Sequence, residues 1–291
     1  MQMETLYLKW KPAHILFLGD IQWAGLKHRS TALEALKDSI AAHLEWERRG
    51  ERALFAGMGD YTDFMSPSNR ARFAGANLYD NATDIVVAKA QELVDEIYDV
   101  ALKPTRGKWL GLIEGHHMMT LKNGETTDMY LAERLKARFL GTSALTRLVF
   151  QNVGGQRIPA TIWMHHGTGS GQTGYYPLAR LEKEAADWEG VDVFAMGHTT
   201  KMCSEFTQKM IPRWKSGDLS HRKIILVGTG GYSKKYVVGA LQGRVPRGGY
   251  AEQRMLRASI IGSPTLHIRP ARRGPNGNNT GLEISAEGCR H

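Results

Sequence analysis

The chain has 291 residues, 42% of them apolar, and a formal net charge of +9 at neutral pH. That length fits one large α/β unit with a substantial core, and no stretch approaches the length of a membrane span. The start, Met1-Gln2-Met3-Glu4, lacks the regions of a signal peptide, and two cysteines, Cys203 and Cys289, imply neither a disulfide framework nor a thiolate zinc site. A cytoplasmic protein without membrane association is therefore expected. The positive charge favours polyanionic partners such as phosphates and nucleic acid, set against the plainer reading of a basic soluble protein.

In chain order, the apolar run 14–18 predicts a buried strand, followed by Gly19-Asp20-Ile21-Gln22. Leu33, Leu36, Ile40 and Leu44 recur at three or four residues and predict an amphipathic helix over 31–49. A strand at 53–56 leads into Gly59-Asp60-Tyr61-Thr62-Asp63 and then an irregular insertion, 64–82. Ile85, Val86, Leu93, Val94, Ile97 and Tyr98 mark the apolar face of a second helix ending near 102. The run 109–113 precedes Gly115-His116-His117, and a third helix is expected near 127–140. Strands at 145–150 and 158–164 are joined through Asn152-Val153-Gly154-Gly155, and the second ends on His165-His166-Gly167. A helix over 176–188, with Pro177 suited to its first turn, precedes a strand at 191–196 and then Gly197-His198-Thr199-Thr200. A strand follows at 223–227. Glycines and basic residues interrupt every periodic run between 228 and 262. Strands at 264–268 and 282–285 close the chain, and the turn formers between them predict a mobile basic segment, 269–281. No linker is long enough for two independent domains, so 1–291 reads as one.

Five polar, Gly-edged blocks thus fall at the carboxyl ends of apolar runs, where open α/β sheets present ligands. Asp and His without thiolates suit hard or borderline divalent ions. A single Asp beside Gly is equally a turn or cap residue, so the ordered series from Asp20 to Thr200 carries the reading. The series resembles the calcineurin-like metallophosphoesterases, whose pattern is D-x-H, G-D-x-x-D/N, G-N-H-D/E, a later H, and G-H-x-H. The resemblance implies an α/β fold, a four-layer αββα sandwich of two mixed sheets flanked by helices, with the site between the sheets. It also implies two metals sharing Asp60. His116, His166 and His198 would complete one site, and Asp20, Gln22 and Thr200 the other. Gln22 stands for the first family histidine, His116 for the asparagine, Met118 for the acidic residue and Thr200 for the final histidine.

Three imidazoles with a carboxylate suit manganese, zinc or iron, whereas a Gln carbonyl and a Thr hydroxyl are tolerable only for a hard ion such as magnesium. One tight and one weak site are expected, with manganese as the first choice of ion. His117 takes the position of the family's catalytic histidine. Met118 cannot support it, so Asp63 is the expected orienting carboxylate. Of His165 and His166 only one can face a metal in an alternating strand, and His166, directly before glycine, is preferred. The Gly169–Gly174 segment satisfies G-x-G-x-x-G but is read as a close approach to phosphate instead of a dinucleotide site.

The insertion carries Arg70, Arg72, Phe73 and Tyr79, a mixture suited to phosphate contacts and base stacking. Arg244, Arg247, Arg254 and Arg257 form a second basic region. The runs 227–232, 249–252 and 262–264 more loosely resemble phage and bacterial DNA-repair exonuclease-like members. The expected activity is a metal-dependent phosphodiesterase or nuclease acting on nucleic acid or nucleotides, with metal-activated water as nucleophile. Two alternatives are a nucleic-acid-binding protein on a degenerate phosphoesterase scaffold and a phosphomonoesterase or protein phosphatase. A homo-oligomer is compatible with the sequence.

Overall fold

The computed structural model describes residues 1–64, 80–169, 171, 173–242, 244–273 and 279–287. Arg70, Arg72, Phe73 and Tyr79 of the expected insertion, and Cys289, lie outside them.

Strand β2 (Ala13–Leu18) is buried along its whole length because each of its faces has a layer to pack on. Ala13, Ile15 and Phe17 enter one apolar cluster, while Leu16 and Leu18 enter another, as side chains alternate across a pleated strand. Strands β3 (Arg52–Gly57) and β4 (Trp109–Leu112) continue the sheet parallel to β2. On the other edge β12 (Thr265–Arg273) and β13 (Asn279–Ala286) run antiparallel, giving the order β13-β12-β2-β3-β4. The second sheet is formed by β1 (Gln2–Lys9), β5 (Ser143–Gln151), β6 (Arg157–His165), β7 (Val193–Met196), β8 (Met202–Arg213) and β9 (Asp218–Thr229), in the order β1-β5-β6-β7-β9-β8. Parallel and antiparallel pairs occur in both sheets.

The alternation fixes the layers. Ile162 and Met164 of β6, Val193 and Ala195 of β7, and Ile225 and Val227 of β9 share a cluster with Ile15, Phe17 and Leu54, which therefore lies between the sheets. The intervening residues Trp163, Phe194, Ile224 and Leu226 pack with Leu181 and Ala185 of helix α4 (Tyr176–Asp187). On the far side Leu16, Leu18 and Phe55 pack against α1 (Leu33–Arg48), α2 (Asp80–Ile97) and α3 (Thr127–Arg134) through Leu36, Ile40, Leu93, Val94 and Leu131. The molecule is an α/β protein with two mixed sheets, arranged compatibly with the expected sandwich. Among the described residues no helix is long and apolar enough to cross a membrane.

Several element boundaries differ from the periodicity reading. Helix α3 stops at Arg134 instead of continuing to 140, because Lys136 turns to φ 52°. The N–H of Leu112 then bonds to the Arg138 carbonyl, and Leu140 bonds back to Leu112, so the following segment lines β4. Strand β8 was not legible: none of its twelve residues is buried, so no apolar alternation marks it. Strand β1 buries only Leu8. The expected basic loop over 269–281 is replaced on both flanks by paired strand, with Arg269 opposite Glu283 and Arg273 opposite Asn279, while 274–278 lies outside the described residues. Between 228 and 262 the described elements are a two-residue hairpin, β10 (Leu241–Gln242) with β11 (Val245–Pro246), and one short helix, α5 (Tyr250–Gln253).

His43 on the inner face of α1 is buried at 3% exposure, with Nε2–H donating to the Leu54 carbonyl at 2.9 Å. Burial is the largest influence and lowers its pKa from 6.5 to about 4. The neutral ring therefore contributes stability that is complete above pH 6.5 and is lost as pH falls towards 4, in total about 3 kcal/mol. Denaturant unfolding of His43→Gln between pH 7 and 4 should show a correspondingly shallower loss than wild type. Parallel curves would show that the ring titrates alike in both states.

A candidate metal centre between the sheets

The five blocks converge because β2, β3 and β4 of one sheet and β6 and β7 of the other direct their carboxyl ends to the same gap. Asp20 N–H bonds to Gly59 O at 3.0 Å and Gln22 N–H to Asp60 O at 2.9 Å, lashing the first block to the second. Seven non-glycine residues have positive φ among those described, and five of them are Asp20, Gln22, Asp60, His198 and Thr200. Left-handed backbone costs such residues about 1 kcal/mol each, and it concentrates where surrounding structure over-determines a site. Here it turns the chain sharply off each strand end.

Two groups of donor atoms result, each within 4.8 Å: His116, His166 and His198, and Asp20, Asp60 and His166. Either could hold a metal ion. Asp60 was the expected shared ligand, but His166 is the residue common to both groups. Asp60 Oδ1 instead accepts the backbone N–H of His116 and, at 3.0 Å, that of His117. Its Oδ2 remains 3.2 Å from His166 Nε2. The preference for His166 over His165 has a packing reason. Met164 points between the sheets and Trp163 outward, and His165 stacks on Trp163 with ring centroids 5.6 Å apart, so His166 follows on the inner side.

The hydrogen bonds select ring tautomers. His166 Nδ1–H donates to the Met58 carbonyl at 2.7 Å, which leaves Nε2 to carry the lone pair in the neutral ring. His198 Nε2–H donates to the Gly169 carbonyl at 2.9 Å, leaving its Nδ1 to face His116 Nδ1 at 3.2 Å. Such second partners are the usual means by which a ligating imidazole is oriented. Two ligands on one tetrahedral ion with bonds near 2.05 Å stand about 3.3 Å apart, so the His116–His198 spacing fits a shared cation. Buried Asp20 Oδ1 and His166 Nε2 make no hydrogen bond, as expected of atoms reserved for one.

The electrostatics agree. Burial, then the neighbouring imidazoles His166 and His116, lower His198 to about 4, and burial with His166 lowers His116. Both rings are thus neutral and available as ligands at neutral pH. Burial would also lower His166, but the Asp60 hydrogen bond and charge outweigh it and raise it to about 9. Burial raises Asp20 to about 7 despite His166, whereas Asp60, also opposed by burial, is held below the usual carboxylate range by His166 and His117.

His117 sits at the rim with Nδ1 2.7 Å from Asp63 Oδ1 and Nε2 3.9 Å from Asp60 Oδ2. Burial would lower its pKa, but the Asp63 hydrogen bond and the two carboxylates raise it. Thr200 is turned away from ligation: its Oγ1 donates to Thr199 O at 2.7 Å and lies 2.8 Å from Ser259 Oγ. The backbone carbonyl of Gln22 accepts from Thr31 Oγ1 at 3.0 Å, which anchors that turn.

Two residues escaped the sequence reading. Asp128 in the first turn of α3 is 2% exposed and accepts the Gly115 N–H at 2.9 Å, so it positions the His116 loop. Lys235 is half-buried and acts electrostatically on Asp20 and Asp60. Neither belongs to a recurrent spacing, and only the tertiary contacts reveal them.

Gly115 has no room for a side chain, because a Cβ there would overlap the backbone nitrogen and carboxylate of Asp60. Gly115→Ala should therefore displace the His116 loop and weaken metal binding at least ~10-fold, the lower range for loss of an outer support. Isothermal titration with manganese measures it, and unchanged affinity would mean that the loop is not part of the centre.

No protein-family model matches the chain, and no curated protein matches it significantly.

Proposed function

We propose that the chain is a metal-dependent phosphoesterase of metallophosphoesterase-like fold, acting as a phosphodiesterase or nuclease on nucleic acid or nucleotides. The observation that carries the reading is the pairing of His117 with Asp63 directly beside the His/Asp donor groups. A bare structural metal site has no need of an oriented, exposed imidazole at its rim. His116, His166 and His198, with Asp60 and Asp20 beside them, would hold a divalent ion, with manganese, zinc or iron suited to the imidazoles. Such an ion supplies Lewis acidity towards a phosphoryl oxygen and lowers the pKa of water.

The protein's own groups divide the remaining work. Asp60 uses one carboxylate oxygen to fix the His116–His117 backbone and leaves the other towards His166. Asp63 accepts from His117 Nδ1–H, which fixes the ring and stabilises its protonated form. His117 Nε2–H is then the donor that delivers a proton to the leaving oxygen as the P–O bond breaks and water adds to phosphorus. The positive charge of the chain supports a polyanionic substrate.

A second reading, nucleic-acid binding without catalysis, draws support from Thr200, whose hydroxyl is engaged elsewhere. The deciding assay is hydrolysis of bis-p-nitrophenyl phosphate by wild type across manganese, zinc, iron and magnesium. Turnover that EDTA abolishes is expected. Absence of turnover with every ion, together with retained nucleic-acid binding, would favour the second reading.

A further inference from the structure

The two donor groups are chemically unequal. One has three imidazoles; the other has two carboxylates and shares its only imidazole, His166, with the first. Once His166 serves the imidazole group, the second retains one uncommitted oxygen from each carboxylate. Asp20 Oδ2 is occupied by the His198 N–H at 2.8 Å, and Asp60 Oδ1 by two backbone donors. Thr200 adds nothing, because its hydroxyl is committed to Thr199 and Ser259. Two oxygens fall short of the four ligands a transition metal normally takes from a protein site. Yet Asp20 is fully buried, and its Oδ1 has no hydrogen-bond partner, so this side of the centre still calls for a positive charge.

The fold brings one there. The N–H groups of Tyr232 and Ser233 both donate to the Asp20 carbonyl, at 3.0 and 3.1 Å, and Ser233 pairs with Thr31. This clamp fixes the loop after β9 against the turn that carries Asp20, and Lys235 follows two residues later. Among the charges acting on the half-buried Lys235, Asp20 is the largest, followed by Lys201 and Asp60, and Lys235 acts in return on Asp20.

We infer that Lys235 supplies the second positive charge of this centre, an ammonium from the protein where Asp20 and Asp60 would otherwise draw in a second metal ion. The catalytic consequence rests on the phosphoesterase reading; the charge-balancing role does not. The centre then works with one metal and one fixed cation, and Lys235 balances the carboxylates while the phosphoryl group gains charge.

Metal stoichiometry separates the two ideas. Wild type, Lys235→Ala and the nearly isosteric Lys235→Met are stripped with EDTA, checked for fold by circular dichroism, and titrated calorimetrically with manganese. Wild type should take up one equivalent, and either folded variant a second, weaker one. Lys235→Arg, which keeps the charge, should remain at one. In the phosphodiester assay both neutral variants should lose about 10²-fold in kcat, the usual cost of removing one electrostatic contact to developing charge. Unchanged stoichiometry in the folded neutral variants overturns the inference whatever their rates. A wild type inert towards phosphoesters overturns the phosphoesterase reading and leaves the stoichiometry to decide the role of Lys235.

Discussion

His166→Ala is expected to empty the centre. His166 is the only residue in both donor groups, is 1% exposed, and has its Nδ1 tied to Met58, so no neighbour can replace its Nε2. Wild type in manganese at a thousandfold excess over Kd should gain about 4 kcal/mol of stability, because the ion binds the folded state alone. The variant should gain nothing measurable. Calorimetric melting with manganese and with EDTA reads the difference, and elemental analysis should fall from near one equivalent to none. Equal stabilisation of both proteins would show that the carboxylates hold the ion without the imidazole trio.

The second large effect concerns His117. Its ring is outside both donor groups, so His117→Ala should keep its fold and its metal. Its loss of phosphodiester hydrolysis should be about 10²–10⁴-fold, the range for removing a positioned acid or base. Asp63→Asn should lose less, since the imidazole stays while the 2.7 Å bond that orients it loses its charge. The split between kcat and KM distinguishes chemistry from binding: a fall confined to kcat marks proton delivery, whereas a rise in KM alone marks a binding contact. Equal activity of His117→Ala and wild type would remove the residue from the mechanism.

Much of the site was legible in the sequence because strand ends leave local marks. An apolar run followed by Gly and a polar residue is a strand leaving a buried sheet, and the five such places hold Asp20, Asp60, His116, His166 and His198. The choice of His166 over His165 also followed from period-two alternation, since Met164 must face inward for the core to close. Where burial was lacking, the signal was lacking. Strand β8 forms twelve consecutive pairs with β9 while burying none of its side chains, so its pairing is set by β9 and not by its own pattern.

What the sequence by itself determined, then, was the α/β alternation, the order of the five polar turns and the types of ligand they offer. Those depend on burial and on residues near one another in the chain. Tertiary structure alone decided that His166 is the shared donor, that the ring protons lie on His166 Nδ1 and His198 Nε2, that Thr200 turns to Ser259, and that Asp128 and Lys235 support the centre. Each of these depends on a carbonyl, hydroxyl or charge that folding brings from a distant part of the chain, and a linear pattern carries no record of which distant groups will meet.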